Sequence, residues 1–305
     1  MKLLITGGAG YIGTSLIEYL VQKEKVKEIV IYDNLSRGNR NLFIGAVKLK
    51  GAKVSFIQGE LLDSKRLNEV LKGVDVVYHL AANVTTPFSD QNPHLFEQVN
   101  NWGTAELVYA LEKSDVKRFI YLSSVSVYGT SNSNKKVGDD LNPRTFYGIS
   151  KMRGEGHARR LMDKMETYII RCGNVYGYNK SMRFDAVINT FIFEANYKNR
   201  ITVNGTGEQK RPFIHIDRVS TVLSEMCNSK IESGTYNLVD KNLAIGEVVK
   251  ELREVYPDLE MLFVNQHMKM RELQVETSIE MKQLFEKNIR SLKEELIEFK
   301  EAFTF

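Results

Sequence analysis

Tyr147 and Lys151 stand four residues apart in a stretch whose spacing predicts a helix from Tyr147 to Leu161, so the two side chains share a face. A phenol loses its proton near pH ~10 and is no base at neutral pH. An ammonium beside it would favour the phenolate. Each pH unit of that change needs about 1.4 kcal/mol of differential interaction, within reach of close charges in a dry pocket. Tyr147 could then take a hydroxyl proton. Upstream, the run Leu122-Ser123-Ser124-Val125-Ser126-Val127-Tyr128-Gly129 places Ser124 just past a strand, where its hydroxyl could hold the substrate oxygen. Ser123 and Ser126 are rivals for that role. A tyrosine and lysine at this spacing often form only an exposed helix pair; what singles this one out lies at the other end of the same region.

There, Thr6-Gly7-Gly8-Ala9-Gly10-Tyr11-Ile12-Gly13 separates an apolar strand at 2–6 from a helical pattern at 11–22. Gly7, Gly10 and Gly13 permit a sharp turn and close approach of backbone, with Tyr11 and Ile12 between them, to a pyrophosphate. Its charge meets the helix N-terminus. Asp33 follows Gly13 by 20 residues, at the end of a second strand, where a carboxylate accepts hydrogen bonds from an adenosine ribose. It would repel a 2′-phosphate, which favours NAD over NADP; Arg37 nearby points the other way. Asp63 fits either a helix cap or an adenine contact. His79-Leu80-Ala81-Ala82 ends a fourth strand with residues small enough to let a cofactor lie close, and His79 reads as structural rather than as an acid or base.

These residues need a frame. Apolar runs at Ile29–Tyr32, Val54–Ile57, Val74–Leu80, Phe119–Leu122 and Thr167–Arg171 follow the first strand, separated by helical patterns that include a long one near 93–112. Such alternation predicts a parallel, doubly wound sheet. After about residue 175 the strands shorten (201–203, 213–215, 235–238), and 278–302 reads as helices with a core-facing apolar stripe. The expected division is a dinucleotide domain over 1–175 and a smaller mixed α/β substrate region over 176–305, with segments near 213–240 able to return to the first.

The chain has 305 residues, 43% hydrophobic and 26% charged, ordinary proportions for a globular protein. No apolar run approaches the ~18 residues of a membrane span, and no leader is expected. Cys172 and Cys227 are too few for a disulfide framework and fit a reducing cytoplasm. A net charge of +4 is spread among acidic residues, without a basic block for nucleic acid. The five histidines are scattered, so no metal centre is expected.

Together these motifs resemble the extended short-chain dehydrogenase/reductase family, in its nucleotide-sugar epimerase/dehydratase branch, over nearly the whole chain. Thr6 to Gly13 matches its T-G-x-x-G-x-x-G, and Tyr147 to Lys151 its catalytic helix. Asp33-Asn34-Leu35-Ser36 resembles its NAD-selecting strand end. His79 to Ala82, Val99-Asn100-Asn101-Trp102-Gly103-Thr104 and Ser123 to Gly129 match its middle motifs. The resemblance implies a Rossmann-type fold and NAD. It makes Ser124, Tyr147 and Lys151 catalytic, with Gly7, Gly10, Tyr11, Ile12, Gly13, Asp33, Asn34, Asp63, Leu80, Ala81, Ala82 and Asn100 around the cofactor. Arg171 to Gly177 is similar to L-R-x-x-N-V-Y-G, whose asparagine, Asn174 here, approaches a nucleotide diphosphate. Gly205 to Asp217 resembles a segment whose arginine, Arg211 here, pairs with phosphate. Arg271 resembles a late phosphate-binding arginine, although the usual stretch around it is shortened. Thr85 and Ser126 fall near the sugar.

Ser126 stands where dehydratases and decarboxylases of this branch usually carry an acid. The expected activity is therefore an NAD-dependent nucleotide-sugar 4-epimerase. A 4-dehydrogenase or 4-keto-sugar reductase on the same scaffold is the closest alternative, and a non-catalytic NAD sensor a remote one. The family further implies a homodimer, through helices near 93–112 and 147–165, and envelope or capsule polysaccharide synthesis.

Overall fold

The computed structural model describes residues 1–44, 51–84, 92–267 and 270–305. The alternation in the sequence folds as β1 (Lys2–Thr6), α1 (Tyr11–Leu20), β2 (Glu28–Asp33), β3 (Lys53–Gln58), α2 (Ser64–Val70) and β4 (Val76–His79). Next come α3 (Pro93–Phe96), a π-helix (Glu97–Trp102), α4 (Gly103–Glu112), β5 (Arg118–Ser124), β6 (Asn134–Lys135), α5 (Phe146–Arg159) and β7 (Glu166–Cys172). The second half adds β8 (Asn174–Tyr176), α6 (Val187–Lys198), β9 (Arg200–Asn204), β10 (Lys210–His215), α7 (Ile216–Met226) and β11 (Gly234–Leu238). It closes with β12 (Lys241–Ala244), α8 (Ile245–Val255), β13 (Glu260–Val264), β14 (Gln274–Val275), α9 (Ile279–Phe285) and α10 (Leu292–Glu301).

Seven parallel strands form the main sheet in the order β11-β7-β5-β4-β1-β2-β3. Successive side chains leave a strand on opposite faces, and the core divides accordingly. Leu3, Ile5, Ile29 and Ile31 pack with Leu16, Ile17 and Leu20 of α1 and Val219, Val222 and Met226 of α7. Leu4, Val30, Val77 and Phe119 pack on the other face with Leu107 and Leu111 of α4 and Ala158 of α5. The strand order reverses direction at β1 and β4, which opens a crevice at their carboxyl ends.

The second region holds a β12-β10-β8 sheet and a β13-β9 pair. Its separate core joins Ile188 and Ile192 of α6, Val248 and Leu252 of α8, and Leu296 and Phe299 of α10. Buried Arg218 on α7 pairs with Asp240 at 3.0 Å and with Glu295 on α10, which also accepts from Tyr176. β11 nevertheless lies at the edge of the main sheet, in parallel register with β7 from Gly234↔Tyr168 to Leu238↔Cys172.

The single helical pattern near 93–112 is not one α-helix: six residues in its middle run as a π-helix. That wide turn carries Asn100, 1% exposed, beneath the end of β4. Its Oδ1 accepts from Asn83 N at 2.7 Å, and its Nδ2 donates to Asn83 O and to Ser150 Oγ on α5, both at 3.0 Å.

Candidate active site

One large cleft runs along the carboxyl edge of the sheet, from the glycine loop past Ser124, Tyr147 and Lys151 to Arg211 and Arg271. Its volume is about 1820 Å³. Single small-molecule sites usually occupy roughly 300–1,000 Å³, so there is room for a dinucleotide and a second ligand end to end.

At one end, Gly7 turns with φ +71°, and a Cβ there would lie 2.5 Å from the backbone nitrogen of Ala81. Only glycine fits between the two strand ends. The N-terminus of α1 opens at Gly10 with no side-chain cap, leaving its amides to face the cleft. Asp33 Oδ1 accepts from Leu35 N at 2.8 Å and Oδ2 from Ala9 N at 3.1 Å. Each oxygen keeps a further lone pair for a ribose hydroxyl. Burial pushes the Asp33 carboxyl above its usual range, against the pull of those two amides. Asn34, Tyr11, Ile12, Leu80, Ala81 and Ala82 line the same end. This donor set and the cradle at Gly7 fit NAD.

Two residues named for the cofactor also have partners within the protein. Asp63 is the N-cap of α2, accepting from Arg66 N at 3.0 Å. Asn100 braces Asn83 and Ser150 through its side-chain amide. Thr85 lies outside the described residues. His79 is structural: Nδ1 meets Thr6 Oγ1 at 2.7 Å and Nε2 meets Thr104 Oγ1 at 2.9 Å. Burial, then the charge of Lys151, holds its pKa down at about 3, so the ring stays neutral.

The middle of the cleft carries the polar triad. Thr145 caps α5, its Oγ1 accepting from Gly148 N at 3.0 Å, and so sets where Tyr147 leaves the helix. Ser124 Oγ accepts from Ser126 N at 3.2 Å and from Ser126 Oγ at 2.9 Å. Its own proton is left for Tyr147 or a substrate oxygen. Burial raises the Tyr147 phenol above 10, opposed by Ser124 and by the charges of Arg183 and Arg37. The Lys151 ammonium turns to the sheet, donating to Leu122 O at 2.7 Å and lying 4.8 Å from the centre of the Tyr121 ring. Burial lowers its pKa to about 7, against the partial support of Glu155.

At the far end, Arg211 and Arg271 line the cleft together, and neither forms an ion pair among the described residues. Burial, then repulsion from Arg271, brings Arg211 down to about 10. Two crowded guanidinium groups without counter-ions suit a diphosphate. Asn174 also lines this end, its Nδ2 donating to Pro212 O at 2.9 Å. The sequence reading missed Arg183, and it considered Arg37 only as a cofactor-selecting charge. Arg183 is held by Asp185 through two bonds of 2.8 and 2.9 Å, and its loop carried no motif to mark it.

With this geometry in place, the comparisons are direct. The chain belongs to the NAD dependent epimerase/dehydratase family, whose model matches residues 3–238, from β1 to the end of β11. It is thus an enzyme of a family that works with NAD. A putative UDP-glucose 4-epimerase of Methanocaldococcus jannaschii is 30% identical over 225 residues, 72% of this chain and 70% of that protein. A dTDP-D-glucose 4,6-dehydratase of Dictyostelium discoideum is 29% identical over 268 residues, 82% of this chain but only 61% of that protein's length. The solved UDP-glucuronic acid 4-epimerase of Bacillus cereus, in complex with UDP-glucuronic acid and NAD, is similar with a TM-score of 0.84. That match covers 99% of this chain and 98% of that one at 23% identity, a likeness of fold.

Proposed function

We propose that the protein is a nucleotide-sugar 4-epimerase. One observation carries the choice over a dehydratase. Three carboxylates line the cleft among the described residues. Asp33 and Glu60 sit at the adenosine end, and Asp185 is clamped by Arg183. The position beside Ser124 that an acid would need is filled by the Ser126 hydroxyl. Eliminating water from a 4-keto sugar requires an acid and a base; inverting C4 requires neither beyond Tyr147.

The glycine loop, Asp33 and Lys151 would hold NAD, which when bound supplies a reversible acceptor for the hydrogen on C4. Tyr147 takes the proton of the sugar 4-hydroxyl as the carbonyl forms, and returns it once the sugar presents its other face. Ser124, with its lone pairs filled by Ser126, donates to that oxygen. Arg211, Arg271 and Asn174 hold the diphosphate while the sugar turns. Arg183 and Arg37 favour the phenolate that the first step needs.

The enzyme acts as a homodimer through α3, the π-helix, α4 and α5, where Leu95, Trp102, Tyr109 and Phe146 are exposed; sedimentation at micromolar concentration tests this. Cys172 and Cys227, both buried and unpaired, suit a reducing cytoplasm. The activity is tested by incubation with UDP-, GDP-, dTDP- and CDP-sugars, following products by mass and NMR. A product of unchanged mass with inverted C4 and no net NADH is expected. A product lighter by water, or NADH accumulating with substrate, overturns the assignment.

A further inference from the structure

Behind the cleft, a second polar cluster gathers around a carboxylate that touches neither ligand space nor solvent. Glu155 is four residues beyond Lys151 on α5 and 0% exposed. Its Oε1 accepts from Ser123 Oγ at 2.6 Å and from Arg171 Nε at 2.9 Å. Its Oε2 accepts from Arg171 Nη2 at 2.8 Å and from Arg159 at 2.9 Å. One carboxylate therefore ties three elements together: α5, β5 and β7.

The pattern on β5 is specific. Lys151 donates to the carbonyl of Leu122, and the next residue, Ser123, donates to Glu155. Two side chains one helical turn apart thus grip consecutive residues of the strand that ends in Ser124. Between them Gly154 allows the close approach, since a Cβ there would lie 2.2 Å from the Tyr121 hydroxyl. Lys151 is 3% exposed. The groups facing it are the Tyr121 ring and Leu122 carbonyl from β5, neutral His79 from β4, and Glu155 from its own helix. Glu155 is the single acid among them. Its other charged neighbours, Arg171 and Arg159, face it from β7 and from the next turn of α5.

We propose that Glu155 is a positioning residue for the proton-transfer site: from behind the cleft its carboxylate keeps Lys151 in the ammonium form and holds the Ser123–Ser124 strand end against α5. The charge clause rests on the placement of Glu155 and Lys151 one turn apart on α5, both buried where water screens little. The holding clause rests on the Ser123 bond. The proposal rests on the catalytic roles given to Ser124, Tyr147 and Lys151, so its first readout is independent of turnover.

The test is the titration of Lys151 in the holoenzyme, read by the NMR shift of its labelled side-chain carbon and assigned with Lys151→Met. Three variants are compared with the parent: Glu155→Gln, Arg171→Gln and the double substitution. The double variant replaces the buried ion pair by two neutral amides, so it folds even where an orphaned Arg171 would unfold the first. In both variants lacking the acid, the Lys151 midpoint falls by a pH unit or more. In Arg171→Gln, which breaks the same ion pair but keeps the acid, it stays or rises. With substrate, kcat at pH 8 drops about tenfold in the acid-less variants, the loss shrinking toward pH 6, with KM unchanged. An unmoved midpoint in a folded acid-less variant, or equal displacement in Arg171→Gln, overturns the proposal. An absent turnover in the parent with a displaced midpoint would fault the epimerase assignment instead.

Discussion

Replacing Lys151 by Met should remove activity and yet make the protein more stable at neutral pH. The ammonium is buried, and its pKa falls from 10.5 to about 7. At ~1.4 kcal/mol per pH unit, the charged form is disfavoured in the fold by about 5 kcal/mol. Methionine also removes the bond to the Leu122 carbonyl, and an orphaned buried acceptor costs about 1–3 kcal/mol. The net gain is about 2–4 kcal/mol. The sign follows from linkage. Between about pH 7 and 10.5 the unfolded lysine binds more protons than the folded one, so wild-type stability rises with pH across that window. The penalty is complete below about pH 7 and gone above about 10.5. The advantage of methionine therefore shrinks by about 3 kcal/mol between pH 7 and 9, vanishing or reversing. Thermal unfolding at several pH values, on samples matched for bound nucleotide, reads this directly. At about 2 °C per kcal/mol for a chain of this size, the Tm gain near neutrality is roughly 4–8 °C. A variant less stable than wild type at pH 6.5, or a gain constant with pH, would refute the reasoning.

Three further outcomes are expected. Tyr147→Phe loses at least about 10³ in kcat while retaining bound NAD, because it deletes only the oxygen that moves the proton; unchanged turnover would remove Tyr147 from the chemistry. Arg211→Met weakens substrate binding by about 10–150-fold, the worth of charge-assisted hydrogen bonds, with kcat within a few-fold; calorimetry with the nucleotide sugar checks it. Gly7→Ala abolishes NAD binding in equilibrium dialysis, since its Cβ would meet the Ala81 backbone at 2.5 Å in a backbone conformation that alanine rarely adopts; normal affinity would show that β1 and β4 need not approach so closely.

What was legible in the sequence was whatever depends on local order. Short apolar runs placed the six strands of the main sheet that lie in the first 175 residues, and glycines at fixed spacing placed the turn at β1. The spacing of Tyr147 and Lys151 was a sound guide to a shared helix face, but not to which group each would address. Lys151 could equally reach forward to the phenol or sideways to β5, and its bond to the Leu122 carbonyl depends on tertiary packing that spacing does not encode. The π-turn that carries Asn100 has no periodic signature separate from that of an α-helix. Asp63 could serve as cap or contact, and it caps α2 through the amide of Arg66. Arg183 comes from a loop far along the chain, where no pattern ties it to Tyr147.

The return of β11 to the main sheet governs how the protein can be made. β7, at residues 166–172, remains an open sheet edge until residues 234–238 have been synthesised. Until then the face of α1 that takes Val219, Val222 and Met226 is bare as well. The dinucleotide half cannot mature by itself during translation. It must wait, with an unsatisfied edge, while most of the next 60 or so residues emerge. Its folding is therefore slow for a sheet of this kind, and the interval before β11 arrives is when chaperones have most to protect.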